Sequence, residues 1–281
     1  MAEIKMIATD LDETFLHTGI VSPENAKALR MAQAAGIVVC PCTGRAWTMC
    51  RYTLPDMGFR DYFVTANGAA VYHLDKEEAL AKHYLAPTVF DALFAACKKE
   101  GIRHTVFCGD WVSAYEPLGA KWLEGMQKRN LTLPEERRTR VKIFTDEQAF
   151  CADVRENAQL FRVQVDTPET PLPAFLGALL DQMGQFEVSM SFASHWDIVD
   201  HTATKRNGLE DVARILGIGS ENVMALGDSG NDITILRWAG LGIAMGNAKP
   251  DVKAEADYIT DECTQDGWAK AVKRFALHME E

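Results

Sequence analysis

Residues 4–14 read IKMIATDLDET, an apolar run that ends in a group of carboxylates. Its first part is mainly apolar, which predicts a strand over residues 4–9 that stops at Asp10. In open α/β sheets, ligands bind beyond the carboxyl ends of the strands. Asp10 and Asp12 therefore stand where two carboxylates can share one ligand, although this spacing by itself is also typical of an ordinary polar loop.

Outward from this stretch, predicted strands and helices alternate along the first third of the chain. Ser22 can cap a helix whose first residue is Pro23, and strands are predicted at Ile37–Cys42 and Tyr62–Thr65. The same alternation resumes from about Lys205. Alternating β and α elements indicate an α/β fold, with a Rossmann-like parallel sheet covered by helices on both faces.

The middle of the chain is predicted to be a separate α+β domain inserted into this core. A length of 281 residues favours about two domains. Residues 1–80 and 195–281 are expected to form the α/β core together, and residues 81–194 to form the inserted cap domain. The two core segments would then pair in space, although they are distant in sequence.

Composition excludes several classes of protein. The formal charge is −11, from 29 lysines and arginines against 40 aspartates and glutamates, which suits neither a nucleic-acid backbone nor an anionic membrane surface. No apolar run approaches the ~20 residues of a membrane helix, and the N-terminus lacks the features of a signal peptide. The seven scattered cysteines argue against a disulfide framework, so we expect a cytoplasmic protein. The oligomeric state stays open.

Three further segments carry residues that suit a phosphate site. Thr43-Gly44-Arg45 follows a strand, where a hydroxyl and free N–H groups can hold an anion, and residues 227–232 bring two carboxylates and an amide to another strand end. Lys205 lies near the start of a later helix. Separately, these segments are also typical of a capped helix, a turn and a solvated side chain. Together they supply the groups that a phosphate-transfer site needs: oxygens to hold a hard cation, donors to hold a phosphate, and an ammonium to neutralise charge.

With these motifs, the chain resembles the haloacid dehalogenase superfamily, and within it the Cof-type phosphatases with a class IIB cap. The aspartate–x–aspartate–x–threonine and glycine–aspartate–x–x–asparagine–aspartate patterns are specific as a set, and the resemblance covers both core segments. Three shorter segments resemble secondary signatures of the subgroup: residues 66–69, 244–248 and 265–267. The resemblance implies a magnesium-dependent phosphatase for small phosphorylated metabolites, such as sugar phosphates or phosphorylated cofactors.

The resemblance also implies a role for each matched residue. Asp10 would be the nucleophile that forms an aspartyl-phosphate, and Asp12 would act as general acid and then as general base. Magnesium would be held by the carboxylates of Asp10 and Asp228 and by the backbone carbonyl of Asp12.

A second group of residues is expected to hold the phosphoryl group. Asn231 would contact the phosphate or a water on the magnesium, and Asp232 would position Lys205. The phosphoryl oxygens would be held by Thr43, Lys205 and the backbone N–H groups of Leu11 and Gly44.

One departure from the family pattern is Glu13, which stands where the family usually has glycine. A glutamate adopts a positive φ only at a cost, and its charge repels a phosphate. We expect the loop to tolerate Glu13 with its side chain directed away from the site, and its effect on the rate stays open. Two alternatives also stay open: a phosphotransferase or mutase on the same fold, and a catalytically weak protein that binds phosphometabolites.

Overall fold

The strands and helices form two compact units in a computed structural model, which describes residues 2–76, 78–156, 160–167, 172–192 and 195–279, without the side chains of residues 190–192. The first unit comprises Met1–Arg45, Arg51–Ala81 and Thr204–Glu281. The second comprises Ala46–Cys50 and Lys82–Ala203. Along the sequence, the main segment of the second unit, Lys82–Ala203, therefore follows one part of the first unit and precedes another, as expected for an inserted domain.

The strands alternate with helices along the first unit and cluster in the second. In chain order they are β1 Met6–Thr9, β2 Leu16–His17, β3 Ile20–Val21, β4 Val38–Pro41, β5 Tyr62–Thr65, β6 Ala70–His73, β7 Ala81–Lys82, β8 Arg103–Cys108, β9 Trp111–Tyr115, β10 Arg140–Phe144, β11 Leu160–Asp166, β12 Phe186–Phe192, β13 His195–Asp200, β14 Val223–Gly227, β15 Leu241–Ala244 and β16 Tyr258–Ile259.

The α-helices fall between these strands. They are α1 Pro23–Ala34, α2 Trp47–Cys50, α3 Thr53–Asp56, α4 Pro87–Glu100, α5 Trp122–Leu131, α6 Glu147–Glu156, α7 Ala174–Met183, α8 Lys205–Leu216, α9 Ile233–Trp238, α10 Pro250–Lys253 and α11 Gly267–Ala271. The helix predicted after Ser22 begins as expected, because the Ser22 hydroxyl accepts from the Asn25 N–H at 3.0 Å and Pro23 follows directly.

The central sheet of the first unit has the strand order β16-β15-β14-β1-β4, and all of its pairings are parallel. One face of it packs on apolar residues of α8 and α9. On the other face, the Trp268 indole N–H of α11 donates to the Thr9 hydroxyl at 2.9 Å. The predicted α/β fold, with a parallel sheet and helices on both faces, is confirmed.

The pairing of the sheet fixes where its loops meet. Thr9 at the end of β1 is opposite Leu226 of β14 and Pro41 of β4. The loops that follow these three strands therefore leave the sheet side by side at one edge. This is the edge at which the sequence predicted a ligand site.

The second unit is built on a mixed sheet with the strand order β10-β9-β8-β11-β13-β12. The β9–β10 pair is parallel, and the other pairs are antiparallel. An apolar core that includes Phe90, Phe150 and Leu176 joins its helices α4, α6 and α7 to the sheet. The predicted inserted α+β domain is confirmed as a fold.

The predicted domain limits at residues 80 and 195 stay a prediction, and one strand bears directly on them. His195–Asp200, which the sequence placed at the return to the core, pairs with β11 and β12 in the mixed sheet. That strand therefore packs with the second unit, and Thr204 is the first residue of the return segment.

Two features of composition also have structural counterparts. The seven cysteines are all free thiols and all buried. Within the ranges that the structure describes, the helices are too short or too polar to cross a membrane.

Candidate active site

Asp10 directly follows β1, which lies between β14 and β4 in the parallel sheet. Its backbone N–H donates to the Leu226 carbonyl at 3.0 Å, which continues the β1–β14 ladder and fixes the residue at the sheet edge. The side chain is buried, and its Oδ1 accepts from the Lys205 Nζ at 2.5 Å. Lys205 in turn begins α8, whose N-terminus is capped by the Thr204 hydroxyl. Two predicted site residues that lie 195 positions apart in the sequence are therefore in direct contact.

Lys205 is a buried cation between two carboxylates. Its Nζ lies 2.5 Å from Asp10 Oδ1 and 2.7 Å from Asp232 Oδ1. Burial lowers the pKa of Lys205, but the charges of Asp10 and Asp232 outweigh that effect and hold the pKa above its usual value. Lys205 therefore stays protonated and is available to neutralise an anion beside Asp10.

The loop after β14 is organised by Asp232. Its Oδ2 accepts from the backbone N–H groups of Asp228 at 3.1 Å and Ser229 at 3.0 Å, while its Oδ1 holds Lys205. Gly227 permits this arrangement, because a Cβ at that position would lie 2.4 Å from the Asp232 Cβ. The loop therefore positions both Asp228 and Lys205 through one side chain.

Asp228 is partly buried beside Thr14, whose hydroxyl donates to its Oδ1 at 3.1 Å. Burial, with a smaller contribution from Asp232, raises the pKa of Asp228 to about 6. Burial likewise raises the pKa of Asp10 to about 7, although the nearby Lys205 opposes the shift. Without a bound cation, both carboxylates therefore resist ionisation.

The aspartate cluster, which we define as Asp10, Asp228 and Asp232, has the chemistry of a site for a hard cation. Each residue offers a carboxylate oxygen, and these oxygens all lie within 4.8 Å of one another. When all three are ionised, Lys205 balances only one of the three charges. A divalent ion with a preference for oxygen ligands fits both the donor set and the remaining charge.

The second aspartate of the motif has a different partner. Arg45 clamps Asp12 with two hydrogen bonds, from Nε to Oδ2 at 3.0 Å and from Nη2 to Oδ1 at 2.5 Å. The Asp12 side chain is about half exposed, unlike that of Asp10. Leu11 between them is fully buried and turns the loop, since its carbonyl accepts from Thr14 and Leu16 N–H groups.

The Thr43-Gly44 segment follows β4 at the same edge of the sheet. The Thr43 N–H donates to the Val64 carbonyl at 2.9 Å, and its hydroxyl accepts from the Arg45 N–H at 3.1 Å. A Cβ on Gly44 would lie 3.1 Å from Asn67 Oδ1, so the backbone approaches Asn67 closely. This hydrogen bond closes a local turn and is not the helix cap that the sequence allowed for Thr43, because α2 begins only at Trp47.

Asn231 and Asn67 form a polar pair beside this segment. Asn231 Nδ2 donates to Asn67 Oδ1 at 3.0 Å, and Asn231 Oδ1 accepts from the Ser229 hydroxyl at 3.0 Å. Neither Arg45 nor Asn67 was among the predicted site residues. Both stand inside motifs that the sequence had marked, Thr43-Gly44-Arg45 and Ala66-Asn67-Gly68-Ala69, and that signal could have identified them.

Glu13 adopts the left-handed conformation that the family's usual glycine would favour, with a φ of 58°. Its Oε1 accepts from the Thr18 N–H at 3.1 Å, and its Oε2 lies 3.0 Å from His17 Nδ1. The Thr18 N–H chiefly, and the His17 and Cys263 contacts to a lesser degree, lower the pKa of Glu13. The carboxylate is thus ionised and held against the short β2–β3 hairpin.

The sequence of the chain matches that of a known protein family. A family model described as haloacid dehalogenase-like hydrolase matches residues 7–272. The chain belongs to this family.

Individual relatives match almost the whole chain. The 5-amino-6-(5-phospho-D-ribitylamino)uracil phosphatase YcsE of Bacillus subtilis (strain 168) is 31% identical over 98% of this chain and 97% of its own. Phosphatase YwpJ of the same organism is 30% identical over 96% of this chain and 99% of its own. The solved structure of the subclass IIB sugar phosphatase BT4131 is 26% identical, with a TM-score of 0.78, and the match covers 97% of this chain and 99% of the other.

The predicted family and the predicted class of enzyme, a phosphatase of the haloacid dehalogenase type, are confirmed. The roles of the single site residues stay predictions, although the structure brings four of the nine together. Asp10, Lys205, Asp228 and Asp232 form one connected group. Two other predicted residues contact different loops, because Asp12 is bonded to Arg45 and Asn231 to Asn67. The remaining three stand in the loops that follow β1 and β4: Leu11, Thr43 and Gly44.

Proposed function

We propose that the chain is a magnesium-dependent phosphatase that hydrolyses phosphate monoesters of small metabolites through an aspartyl-phosphate on Asp10. One observation carries the proposal. The Asp10 carboxylate lies at the end of β1, 2.5 Å from the Lys205 ammonium and beside the carboxylates of Asp228 and Asp232. A nucleophile, a neutralising cation and ligands for a metal ion therefore meet at one point.

The chemistry of this point follows from charge. A carboxylate nucleophile and a phosphate monoester repel each other, and Lys205 reduces that repulsion at Asp10. Magnesium, when bound by Asp10 and Asp228 and by the Asp12 carbonyl, would supply further neutralising charge and align the phosphate. Asp10 then attacks phosphorus as the leaving oxygen departs, and the aspartyl-phosphate is hydrolysed by water.

Asp12 is proposed as the group that gives the leaving oxygen its proton and later takes a proton from the attacking water. In the structure, both Asp12 oxygens accept from Arg45. Arg45 is therefore proposed to orient the Asp12 carboxylate until a bound substrate replaces Arg45 as its hydrogen-bond partner. We assign the phosphoryl oxygens to Thr43, Lys205 and the N–H groups of Leu11 and Gly44, with Asn231 at the edge of the site.

The substrate class is proposed from two relatives. YcsE acts on a phosphorylated ribitylamino compound and BT4131 is a sugar phosphatase, according to their names. Both names share a phosphate on a sugar or a sugar-derived chain. We therefore propose sugar phosphates or phosphorylated cofactors as substrates. We also propose a cytoplasmic location, which the seven free thiols support.

The test is phosphate release from a panel of such compounds with Mg²⁺, using the wild type and Asp10→Asn. We expect turnover of at least one sugar-type phosphate, and loss of turnover both in the variant and after chelation. Transfer of the phosphoryl group to a second metabolite without phosphate release would instead favour a phosphotransferase or mutase. Binding without any turnover would favour a phosphometabolite-binding protein.

A further inference from the structure

A second group of potential metal ligands lies in the first unit, and the proposed reaction does not use it. It consists of Glu13, His17 and Cys263, which we call the mixed cluster. Cys263 Sγ lies 3.4 Å from Glu13 Oε2 and 3.6 Å from His17 Nδ1, and the last two atoms lie 3.0 Å apart. A thiol, an imidazole and a carboxylate thus converge on one point from positions 250 residues apart.

The three distances match the spacing of ligands around one tetrahedral ion. With zinc bonds of about 2.3 Å to sulfur and about 2.0 Å to nitrogen or oxygen, sulfur lies about 3.5 Å from each of the other two ligand atoms, and those two lie about 3.3 Å apart. The observed edges differ from these values by a few tenths of an ångström. No ligand atom therefore needs to move far for the three to share an ion.

The mixed cluster is held in place by hydrogen bonds to the backbone of two of its residues, Glu13 and Cys263. The Asn247 side chain joins its two ends, because Nδ2 donates to the Glu13 carbonyl at 2.8 Å and Oδ1 accepts from the Cys263 N–H at 2.9 Å. Thr18 fixes the second oxygen of the Glu13 carboxylate. Such hydrogen bonds around the ligands orient them and raise metal affinity.

Access also differs among the three side chains in a way that suits a metal. Glu13 and His17 each have 47% of the side chain exposed, so an ion can enter from solvent. Cys263 is buried beneath them, with 6% of the residue exposed. Three protein ligands, with water completing the coordination, are an established arrangement for zinc.

We propose that Glu13, His17 and Cys263 form a binding site for a divalent transition-metal ion of the zinc class. On binding, a metal–sulfur bond forms, the Cys263 S–H proton leaves to solvent, and the imidazole and carboxylate each donate a lone pair. No electron is transferred in this step. The donor set separates the two metal sites of the chain, because thiolate and imidazole favour zinc whereas carboxylate oxygens alone favour magnesium.

The experiment titrates the full chain with Co²⁺ in excess Mg²⁺ and follows absorption. Cobalt bound to a thiolate gives a charge-transfer band in the near ultraviolet, which oxygen ligands alone cannot produce. We expect the band to saturate at one equivalent of Co²⁺ and to be removed by one equivalent of Zn²⁺. Its readout is independent of phosphatase activity, so failure of the proposed function would leave this test unaffected.

Four variants make the assignment specific. Cys263→Ser should abolish the band, and His17→Ala and Glu13→Gln should each weaken cobalt binding by at least about tenfold. Cys151→Ser, a cysteine of similar burial in the second unit, should leave the band unchanged. His17 and Glu13 are half exposed, so their variants are expected to fold even if Cys263→Ser does not.

The proposal would be overturned by the absence of a thiolate band or by a band that persists in a folded Cys263→Ser protein. It would equally be overturned by a cobalt affinity that is unchanged in both His17→Ala and Glu13→Gln. Displacement of cobalt by Mg²⁺ at matched concentrations would also contradict it, because a site with sulfur and nitrogen ligands does not prefer magnesium.

Discussion

The aspartate cluster and the mixed cluster both include a residue of the loop after β1, yet they handle charge in opposite ways. Asp10 is buried, and burial raises its pKa to about 7. Glu13, three positions later, is half exposed, and hydrogen bonds lower its pKa. The same loop thus carries one carboxylate that needs a partner cation and one that is stabilised by its neighbours. Burial at Asp10 and hydrogen bonding at Glu13, rather than residue type, therefore set the direction in which each pKa moves.

The largest effect is expected at Asp10. Asp10→Asn keeps the size of the side chain but removes the nucleophile, so turnover should fall by about 10³-fold or more. Phosphate release under single-turnover conditions measures it. Asp75→Asn, at a carboxylate with 84% of its side chain exposed, should leave turnover unchanged. Comparable loss in both variants would mean that carboxylate number, rather than Asp10 itself, sets the rate.

Removal of the buried cation is expected to have the next largest effect. Lys205→Met leaves Asp10 and Asp232 buried without their shared partner, which should lower the free energy of unfolding by about 3–5 kcal/mol in the absence of metal. Urea unfolding in EDTA measures it. Lys98→Met is the matched control, because the Lys98–Glu147 pair is exposed at the surface and should contribute little. Equal losses in the two variants would contradict the role of burial.

The pH dependence of stability is expected to change at Asp228. Its folded pKa of about 6 exceeds that of an unfolded aspartate, so its ionisation costs stability as pH rises from about 4 to 6. That cost is absent in acid and fully present above pH 6. Asp228→Asn should therefore raise the metal-free stability at pH 8 by about 1–2 kcal/mol, after an allowance for solvent screening, and by little at pH 4.

Thermal unfolding in EDTA at the two pH values measures the Asp228 effect. An equal gain at both would show that ionisation is not its cause. Added Mg²⁺ should reverse the sign at pH 8, because the wild type then gains a bound cation that the variant holds less well.

For Glu13, we expect stability to change with pH in the opposite direction. Its folded pKa is lowered, so its ionised form contributes stability above the unfolded pKa, and that contribution is lost as pH falls through the folded pKa. Glu13→Gln should therefore lower the Tm slightly at pH 7 and not in acid. The same thermal scans in EDTA measure it. A pH trend parallel to that of Asp228→Asn would contradict the contrast between the clusters.

The location of the site at the sheet edge could be predicted from the sequence, because the strand topology largely determines it. Strand ends in a parallel sheet meet at one edge, so Asp10 and Asp228 could be placed together from their positions after strands. Lys205 was also assigned to the site. The pairing of His195–Asp200 with the second sheet was missed, because a short strand carries no signal of which sheet it joins.

Other features depend on contacts between distant loops, which periodicity does not encode. Arg45 clamps Asp12 across 33 positions, and Asn67 contacts Asn231 across 164. The mixed cluster depends on Cys263, which the sequence treated only as one of seven scattered thiols. The positive φ of Glu13 was foreseen as a cost, but its hydrogen bonds to the β2–β3 hairpin were not.

The smallest effect is expected from Glu13→Gly, which restores the family's usual residue. Glycine relieves a left-handed conformation that costs about 1–2 kcal/mol. It also raises the conformational entropy of the unfolded chain, which costs about 0.5–1 kcal/mol on folding, and it removes hydrogen bonds of similar value. The net change in stability should thus stay within about 1 kcal/mol. Because the Glu13 carboxylate is held by Thr18, His17 and Cys263, kcat should stay within about threefold of the wild type. A rise of about tenfold or more would show that the charge of Glu13 restrains Asp10, and the two clusters would then be coupled through their shared loop.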